Sequence, residues 1–425
     1  MPDWSSRLEE LAAGAAVPGA VLGIWVDGEQ VIAPYGVLNR ATGVEVTAGS
    51  LFQIGSITKT WTATLIAQLV AEGKFSLDDA VVKLLPEAPI DARITVRHLL
   101  THQSGIDGDL FTDTGRGDDC LERYVALLGD VEQLFEPGTA YSYCNAGFVL
   151  LGRLIEVVDN CTWDESLHVR LIEPLGLTET TTLPEQAILH RNALGHTADG
   201  VPVKTWNLPR SMGPAGLIAQ SAADLLRFAQ LHLEDGHAEM RPPQVAVPGA
   251  TGGFEAVGQA WRLYDWSGRK LFGHDGMTVG QLAFLRIDPE ARLAVCLLTN
   301  SANAPALFDQ LASEIFTHYV GAAVPLPPEP IEGVSAGDDH IGVYERASVR
   351  MEVVRRDDRL ILTYQATGDR LAFAEEPVTE YELHPTAPAD GNHFVARNAP
   401  DQPWTTVTFT PTYLVNSGRV TPRTS

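Results

Sequence analysis

The apolar pattern of this chain changes character once, at Ala322-Ala323-Val324-Pro325-Leu326-Pro327-Pro328-Glu329-Pro330, and that change limits the folds open to it. Four prolines in nine residues make a stiff, extended connection. Before it, helical and strand periods alternate. After it, helical periodicity disappears, and short β-rich runs follow one another between turns: Ile341–Arg346, Val349–Val354, Arg359–Gln365, Tyr381–His384, His393–Arg397, Thr405–Thr410 and Tyr413–Val415. Regular short strands at this spacing predict a small antiparallel barrel or sandwich. The expected fold class is therefore α+β over residues 1–322, a Pro-rich linker over 323–338 and an all-β domain over 339–425.

Within the first part, residues 3–15 read as an amphipathic helix with Trp4, Leu8, Leu11 and Ala12 on one face. Ala20–Val26 and Gln30–Val37 read as strands joined across Asp27-Gly28, a hairpin turn signal. Residues 94–105 are expected to be a helix closed by Gly105, and 106–120, rich in Gly and Asp, a loop. Phe148–Val158 and Ala222–Leu233 read as helices, and 236–259 as a long loop. Gln281–Ile287 and Ala291–Thr299 read as paired strands, and Asn303–Val320 as a last helix.

Composition removes several function classes. A net charge of -24 argues against nucleic acid or anionic membrane as a partner. No apolar run reaches the length of a membrane span, and the first residues lack the basic and apolar regions of an export signal. Cys120, Cys144, Cys161 and Cys296 show no paired spacing and read as free thiols, so a reducing, cytoplasmic setting is expected.

The chemistry-bearing stretch is Phe52-Gln53-Ile54-Gly55-Ser56-Ile57-Thr58-Lys59-Thr60. Ile57, Trp61, Leu65 and Leu69 recur every four residues, so a helix begins near Ser56. Lys59, three residues on, shares its face. A hydroxyl beside an amine becomes an activated nucleophile when the amine is desolvated enough to lose its proton. The tetrad alone also fits a capping serine and a solvated lysine. Yet the chain has only five lysines, and this one stands among Ile, Trp and Thr. Two further stretches offer partners. Pro137–Asn145 carries Tyr143 and Asn145 at a helix start, and Phe272–Met277 carries His274-Asp275-Gly276 ahead of a strand pair.

Together these stretches resemble the serine hydrolases of the class C β-lactamase and penicillin-binding-protein type, which include esterases, D-aminopeptidases and peptide-releasing thioesterases. Residues 51–59 resemble the S-x-x-K box of that family. Residues 94–105 resemble I-T-x-R-x-L-L-T-H-x-S-G, and 137–152 resemble P-G-x-x-Y-x-Y-x-N-x-G-x-x-L-L-G. Pro174–Leu177 and Ala215–Phe228 match in character, and the likeness runs from about residue 15 to 320.

The resemblance implies an antiparallel sheet beside a helical lobe with the site between them, and a lipocalin-like C-terminal barrel. It implies Ser56 as nucleophile, Lys59 as the amine that helps deprotonate it, and Tyr143 as general acid/base, its phenol made more acidic by positive charge nearby. Asn145 would orient substrate and Lys59. His274 stands where lactamases carry lysine, and Gly276 closes that box. The oxyanion hole would be the backbone N–H groups of Ser56 and Met277. No metal or cofactor is implied, and the partner expected is a small-molecule or peptide substrate.

Three departures shape the expectation. His274 in place of lysine removes a fixed charge that holds a β-lactam carboxylate, which favours ester, amide or peptide chemistry. Cys144 stands where serine is usual and reads as a small inward-facing residue rather than a second nucleophile. Asp275 would add negative charge beside the oxyanion strand, disfavouring anionic substrates and attracting an amine.

Some motifs carry no function. Gly333-Val334-Ser335-Ala336-Gly337 spells a nucleophile elbow but follows a linker. Asn160-Cys161-Thr162 spells a glycosylation sequon that has no meaning without export, and His98 and His102 have metal-ligand spacing without a partner motif. The function expected is acyl-enzyme hydrolysis of esters or amides, D-residue peptides among them, by Ser-Lys-Tyr chemistry. The alternatives are a thioesterase that cyclises or releases non-ribosomal peptides and an inactive binding protein. The intact Ser56, Lys59, Tyr143 and Asn145 argue against the last.

Overall fold

The computed structural model describes residues 2–234, 236–247, 249–334, 337–368, 371, 377–388, 390–397 and 404–425. Its main element is an antiparallel sheet in the order β3-β2-β1-β12-β11-β10-β9-β8-β7, nine strands among the described residues. The N-terminal hairpin supplies β1 (Gly19–Val26), β2 (Glu29–Asn39) and β3 (Val44–Glu45). Strands β4 (Phe52–Gln53), β5 (Thr180–Thr181) and β6 (Ala219–Gln220) form a small separate sheet beneath the site. The main sheet resumes with β7 (Val245–Ala246), β8 (Phe254–Val257), β9 (Arg262–Trp266), β10 (Arg269–Met277), β11 (Leu282–Asp288) and β12 (Leu293–Thr299). The sheet closes by pairing β1 with β12, Leu22 opposite Leu297 and Ile24 opposite Val295.

Strand alternation sorts the core into two layers. Leu22, Ile24, Val295 and Leu297 pack with Trp4, Leu8, Phe308 and Leu311 of the flanking helices Trp4–Gly14 and Ala304–Val320. Val21, Cys296 and Leu298 face the helical lobe with Trp61, Phe148 and Phe228. Trp61 and Phe228 stack at 3.9 Å between ring centroids, which joins the helix Thr58–Ala71 to the helix Ala222–Leu233. A Cβ at Gly23 would lie 2.7 Å from Cys296 Sγ and 3.0 Å from Leu226, so glycine there lets that helix rest on the sheet.

The expected elements recur with three differences. The helix expected over 94–105 is only Val96–Leu100. Thr95 and His98 form a capping box at its start, and the chain leaves it at His102, whose φ is +59°. The stretch 236–259 is not wholly loop, since it holds β7 and β8 at the sheet edge. The Pro-rich stretch is followed by a second sheet, β13 (Gly342–Arg346), β14 (Val349–Arg356), β15 (Arg359–Ala366), β16 (Val378–Pro385), β17 (His393–Ala396), β18 (Thr405–Phe409), β19 (Tyr413–Asn416) and β20 (Arg419–Pro422). The last of these strands was not expected. It closes the barrel on β13, since Thr424 N–H donates to Val343 O at 2.8 Å and Tyr344 bridges Arg423. Val349, Met351, Val353, Leu360 and Leu362 fill it. Of the elbow-like 333–337, Ser335 and Ala336 lie outside the described residues. Among the described residues, no helix is long and apolar enough to cross a membrane.

Candidate active site

Ser56 sits in a single 3₁₀ turn, Gly55–Ile57, that leads into the helix Thr58–Ala71. Gly55 has φ +51°, and a Cβ there would lie 2.5 Å from Met277 N. A Cβ on Gly276 would lie 1.7 Å from Ile54 O and 3.0 Å from Ser56 N. Both positions therefore need glycine, because two backbones approach each other there. Thr278 N–H donates to Gln281 O at 3.0 Å, so the next pair, Met277 opposite Leu282, is of the non-hydrogen-bonded kind. Met277 N–H then points away from β11, toward the Ser56 turn. The two N–H groups expected to form an oxyanion hole are thus neighbours.

Lys59 is fully buried, so the alternative of a solvated lysine fails. Its Nζ donates to Ser56 Oγ at 3.0 Å and to Ala215 O at 2.6 Å. Burial pushes its ammonium below the usual 10.5, and Arg419 adds to that push, while Tyr143 and Asp109 oppose it. A buried amine that sheds its proton readily can accept one from the serine 3.0 Å away.

Tyr143 stands over this pair, its ring centroid 5.1 Å from Lys59 Nζ, 5.9 Å from Arg262 and 5.0 Å from Arg419. The phenol oxygen is buried, and its nearness to Lys59 favours the ammonium. His102 lies 4.3 Å from the Tyr143 ring, centroid to centroid, and accepts the Cys144 N–H at Nδ1, 3.0 Å away. Cys144 caps the helix Asn145–Asp159, its Sγ accepting from Gly147 N at 3.3 Å. Burial raises its thiol to about 11, which leaves it a poor nucleophile.

Asn145 lines the same cavity, but Lys59 donates its hydrogen bonds to Ser56 and Ala215 rather than to this amide. Asn145 Nδ2 donates to Asp109 Oδ1 at 3.1 Å. His274 faces the helical lobe, its ring 6.3 Å from that of Tyr143. Its Nδ1 lies 2.6 Å from Asp275 O, so Nδ1 carries the proton. Burial first, then Arg262 and Lys59, push its pKa well below 6.5, and the imidazole is neutral.

Asp275 departs from expectation. It does line the cavity, on the strand face opposite His274, where Arg286 holds it at 2.6 Å and Arg262 at 2.9 Å. Its charge is spent on two guanidinium groups, whose hold keeps its carboxyl below the usual range despite burial. It therefore offers no free negative charge to a substrate amine.

The cavity over Ser56 measures about 580 Å³. One wall is Tyr143, Asn145 and Ala215, and another is Phe254, Arg262 and Gly276. The third comes from the barrel, where the turn Ser417-Gly418-Arg419 joins the lining. Tyr143 N–H donates to Gly418 O at 2.9 Å, and Val420 N–H donates to Ser142 Oγ at 3.1 Å. Arg346 reaches Asp107 and Asp109 at 3.3 Å each, and Arg419 Nε lies 2.7 Å from Asp109.

A serine-lysine pair on a helix start, a tyrosine above it and paired backbone donors beside it are found within one family profile. That profile, described as Beta-lactamase, matches residues 4–317. The chain belongs to the beta-lactamase family. Penicillin-binding protein 4 of Amycolatopsis lactamdurans is 41% identical over 373 residues, 81% of this chain and 97% of that protein. The crystal structure of SurE, also determined with D-Leu, superposes with a TM-score of 0.80 at 28% identity, over 99% of this chain and 98% of that one. The D-amino acid amidase of Ochrobactrum anthropi SV3, complexed with L-phenylalanine, matches with a TM-score of 0.61 at 26% identity, over 70% of this chain and 90% of that one. The likeness to SurE thus extends through the barrel of this beta-lactamase-family chain.

Sequence reasoning missed Asp107, Asp109, Arg262, Arg346 and Arg419. No local motif marks them, because each acts across a contact between segments far apart in the chain. The only local hint is the Asp-rich composition of the loop 106–120.

Proposed function

We propose that this chain is a serine acyl-enzyme hydrolase of ester or amide bonds, peptides containing D-residues included. One observation carries the reading. The Lys59 amine is fully buried, destabilised as an ammonium, and 3.0 Å from Ser56 Oγ. Ser56 Oγ attacks the substrate carbonyl as its proton passes to Lys59, with Tyr143 next in line. The N–H groups of Ser56 and Met277 receive the oxyanion. Tyr143 returns a proton to the departing oxygen or nitrogen, leaving an ester on Ser56. Water then attacks that ester, its proton retracing the same route, and the acid is released with Ser56 restored. Neutral His274 gives a β-lactam carboxylate no fixed cation, which favours esters and amides over β-lactams. The D-amino acid amidase and the SurE structure with D-Leu support a substrate of D configuration.

A second reading replaces water by an amine, which would cyclise or extend a peptide. It is supported by the barrel wall, which adds a third side to the cavity over Ser56. Both are tested with one panel: a p-nitrophenyl ester, a D-alanyl anilide, nitrocefin and a peptidyl thioester. Turnover of the ester or anilide that Ser56→Ala abolishes supports hydrolysis, and a cyclic product from the thioester supports transfer. Turnover that Ser56→Ala leaves unchanged overturns both.

A further inference from the structure

Asn145 opens the helix Asn145–Asp159 and lines the cavity, yet its amide is tied down from behind. Its Nδ2 donates to Asp109 Oδ1 at 3.1 Å. A carboxylate only accepts hydrogen bonds, so the NH₂ end of the amide must face Asp109. That leaves Asn145 Oδ1 for the cavity, where an acceptor can hold a substrate N–H or the Lys59 amine. The sense of this amide is fixed by the charge state of Asp109.

Asp109 is buried, its side chain 2% exposed, and both of its oxygens are engaged by the barrel. Arg419 donates to Oδ1 at 3.1 Å and stands 2.7 Å from Oδ2, and Arg346 donates to Oδ2 at 3.3 Å. Asp107, 3% exposed, shares the same Arg346 Nη1 at 3.3 Å and accepts the Ala347 N–H at 2.8 Å. The two arginines lie 237 and 310 residues along the chain from Asp109. Without them the buried carboxylate would lose its two guanidinium partners, and the usual outcome is a proton taken up or a side chain turned outward. A protonated Asp109 could donate, and the amide of Asn145 would lose its reason to keep one sense.

We infer that the C-terminal barrel is a working part of the active site, because Arg346 and Arg419 hold Asp109 as the anion that fixes how Asn145 presents its amide. The inference rests on the Ser-Lys-Tyr reading above. Asp109, Arg346 and Arg419 are positioning residues in this scheme, and Asn145 is the group that meets substrate. The barrel then does more than cover the cavity, since it sets a hydrogen-bond direction inside it.

A double-mutant cycle on the full chain tests this, with hydrolysis of the p-nitrophenyl ester and the D-alanyl anilide as readouts. Asp109→Asn keeps the shape but allows its side chain to donate. It is expected to lower kcat/KM roughly 10- to 100-fold. In an Asn145→Ala background the same change is expected to cost nothing further, because Asp109 acts through that amide. Arg346→Met crossed with Asn145→Ala forms a second cycle, should Asp109→Asn fold poorly, and the same coincidence is expected. Independent factors that multiply in both cycles, or a wild-type kcat/KM in Asp109→Asn, overturn the inference. Ser56→Ala run beside them separates the two claims. Wild-type turnover in Ser56→Ala sinks the hydrolase reading and the inference with it, whereas a dead Ser56→Ala with multiplying factors sinks the inference alone.

Discussion

Lys59 combines a stability cost with the catalytic use proposed for it. Its amine lies 5.1 and 5.6 Å from the ring centroids of Tyr143 and Phe148, and burial there is the first cause that lowers its pKa from 10.5. The folded state therefore refuses a proton that the unfolded chain accepts, over the interval from the lowered pKa up to 10.5. Stability gains on the unfolded state as pH rises through that interval. Lys59→Met removes the effect, so the melting temperature of the wild type should climb relative to Lys59→Met between pH 7 and 10. A constant gap would show that the amine is not depressed. On the proposed mechanism the same amine sets the acid limb of activity. kcat/KM for the ester should rise with pH as Lys59 loses its proton. His274 is neutral well below 6.5 and should leave that limb in place when changed to Asn. A limb that moves with His274→Asn would transfer the titration to the imidazole. These residues were readable in the sequence because S-x-x-K, Y-x-N and H-x-G are local spacings. The environment of Asp275 was not, because its two arginines come from other strands.

At the scale of elements, the site is made by one strand end meeting one helix start. Gly276 on β10 lets the Ser56 turn approach, with no room for a methyl group beside Ile54 O. Gly276→Ala should push β10 away from the turn and spoil the paired N–H groups. A fall in kcat on the order of 10²-fold is expected, measured on the ester, with the chain still folded by circular dichroism. Retained kcat would remove Met277 N–H from the account. The barrel meets the lobe through buried charge. Arg346 is 4% exposed in its side chain between Asp107 and Asp109. Arg346→Met strands buried carboxylates and should cost about 3–5 kcal/mol by urea unfolding, since breaking one side of a buried pair leaves the other uncompensated. A loss below about 1 kcal/mol would mean the contact is solvated. Periodicity disclosed most of these elements, from the hairpin at Asp27-Gly28 to the final helix. It overextended the helix at 94–105, because the 3.6-residue pattern continues past the point where His102 turns into a left-handed conformation. It also passed over β20, four residues long and split from β19 by Ser417-Gly418. That short strand begins at Arg419, so the missed element carries a missed site residue.

The whole molecule behaves as one assembly of buried neutral bases and shared charges. His102, His232 and His274 are all held well below 6.5, burial being the first cause in each. The unfolded chain protonates them as pH falls through about 6.5 and the folded chain does not. Stability should therefore fall between pH 7.5 and 5, by up to about 1.4 kcal/mol per pH unit for each histidine that titrates only when unfolded. His232 packs against Phe228 and Trp261 away from Ser56. His232→Phe should flatten part of that fall in melting temperature without touching turnover, and an unchanged slope would contradict the assignment. The class of each half of the chain was visible in the sequence, because the proline stretch separates two periodicities. How the halves meet was not, since an ion pair between Asp109 and Arg419 leaves no trace in local pattern. The central claim is that Ser56 is the nucleophile, and intact-protein and peptide mass spectrometry after treatment with a fluorophosphonate tests it most directly. One adduct on the peptide that carries Ser56, suppressed in Lys59→Met, is the predicted result. No adduct, or an adduct on another residue such as Cys144, would contradict it.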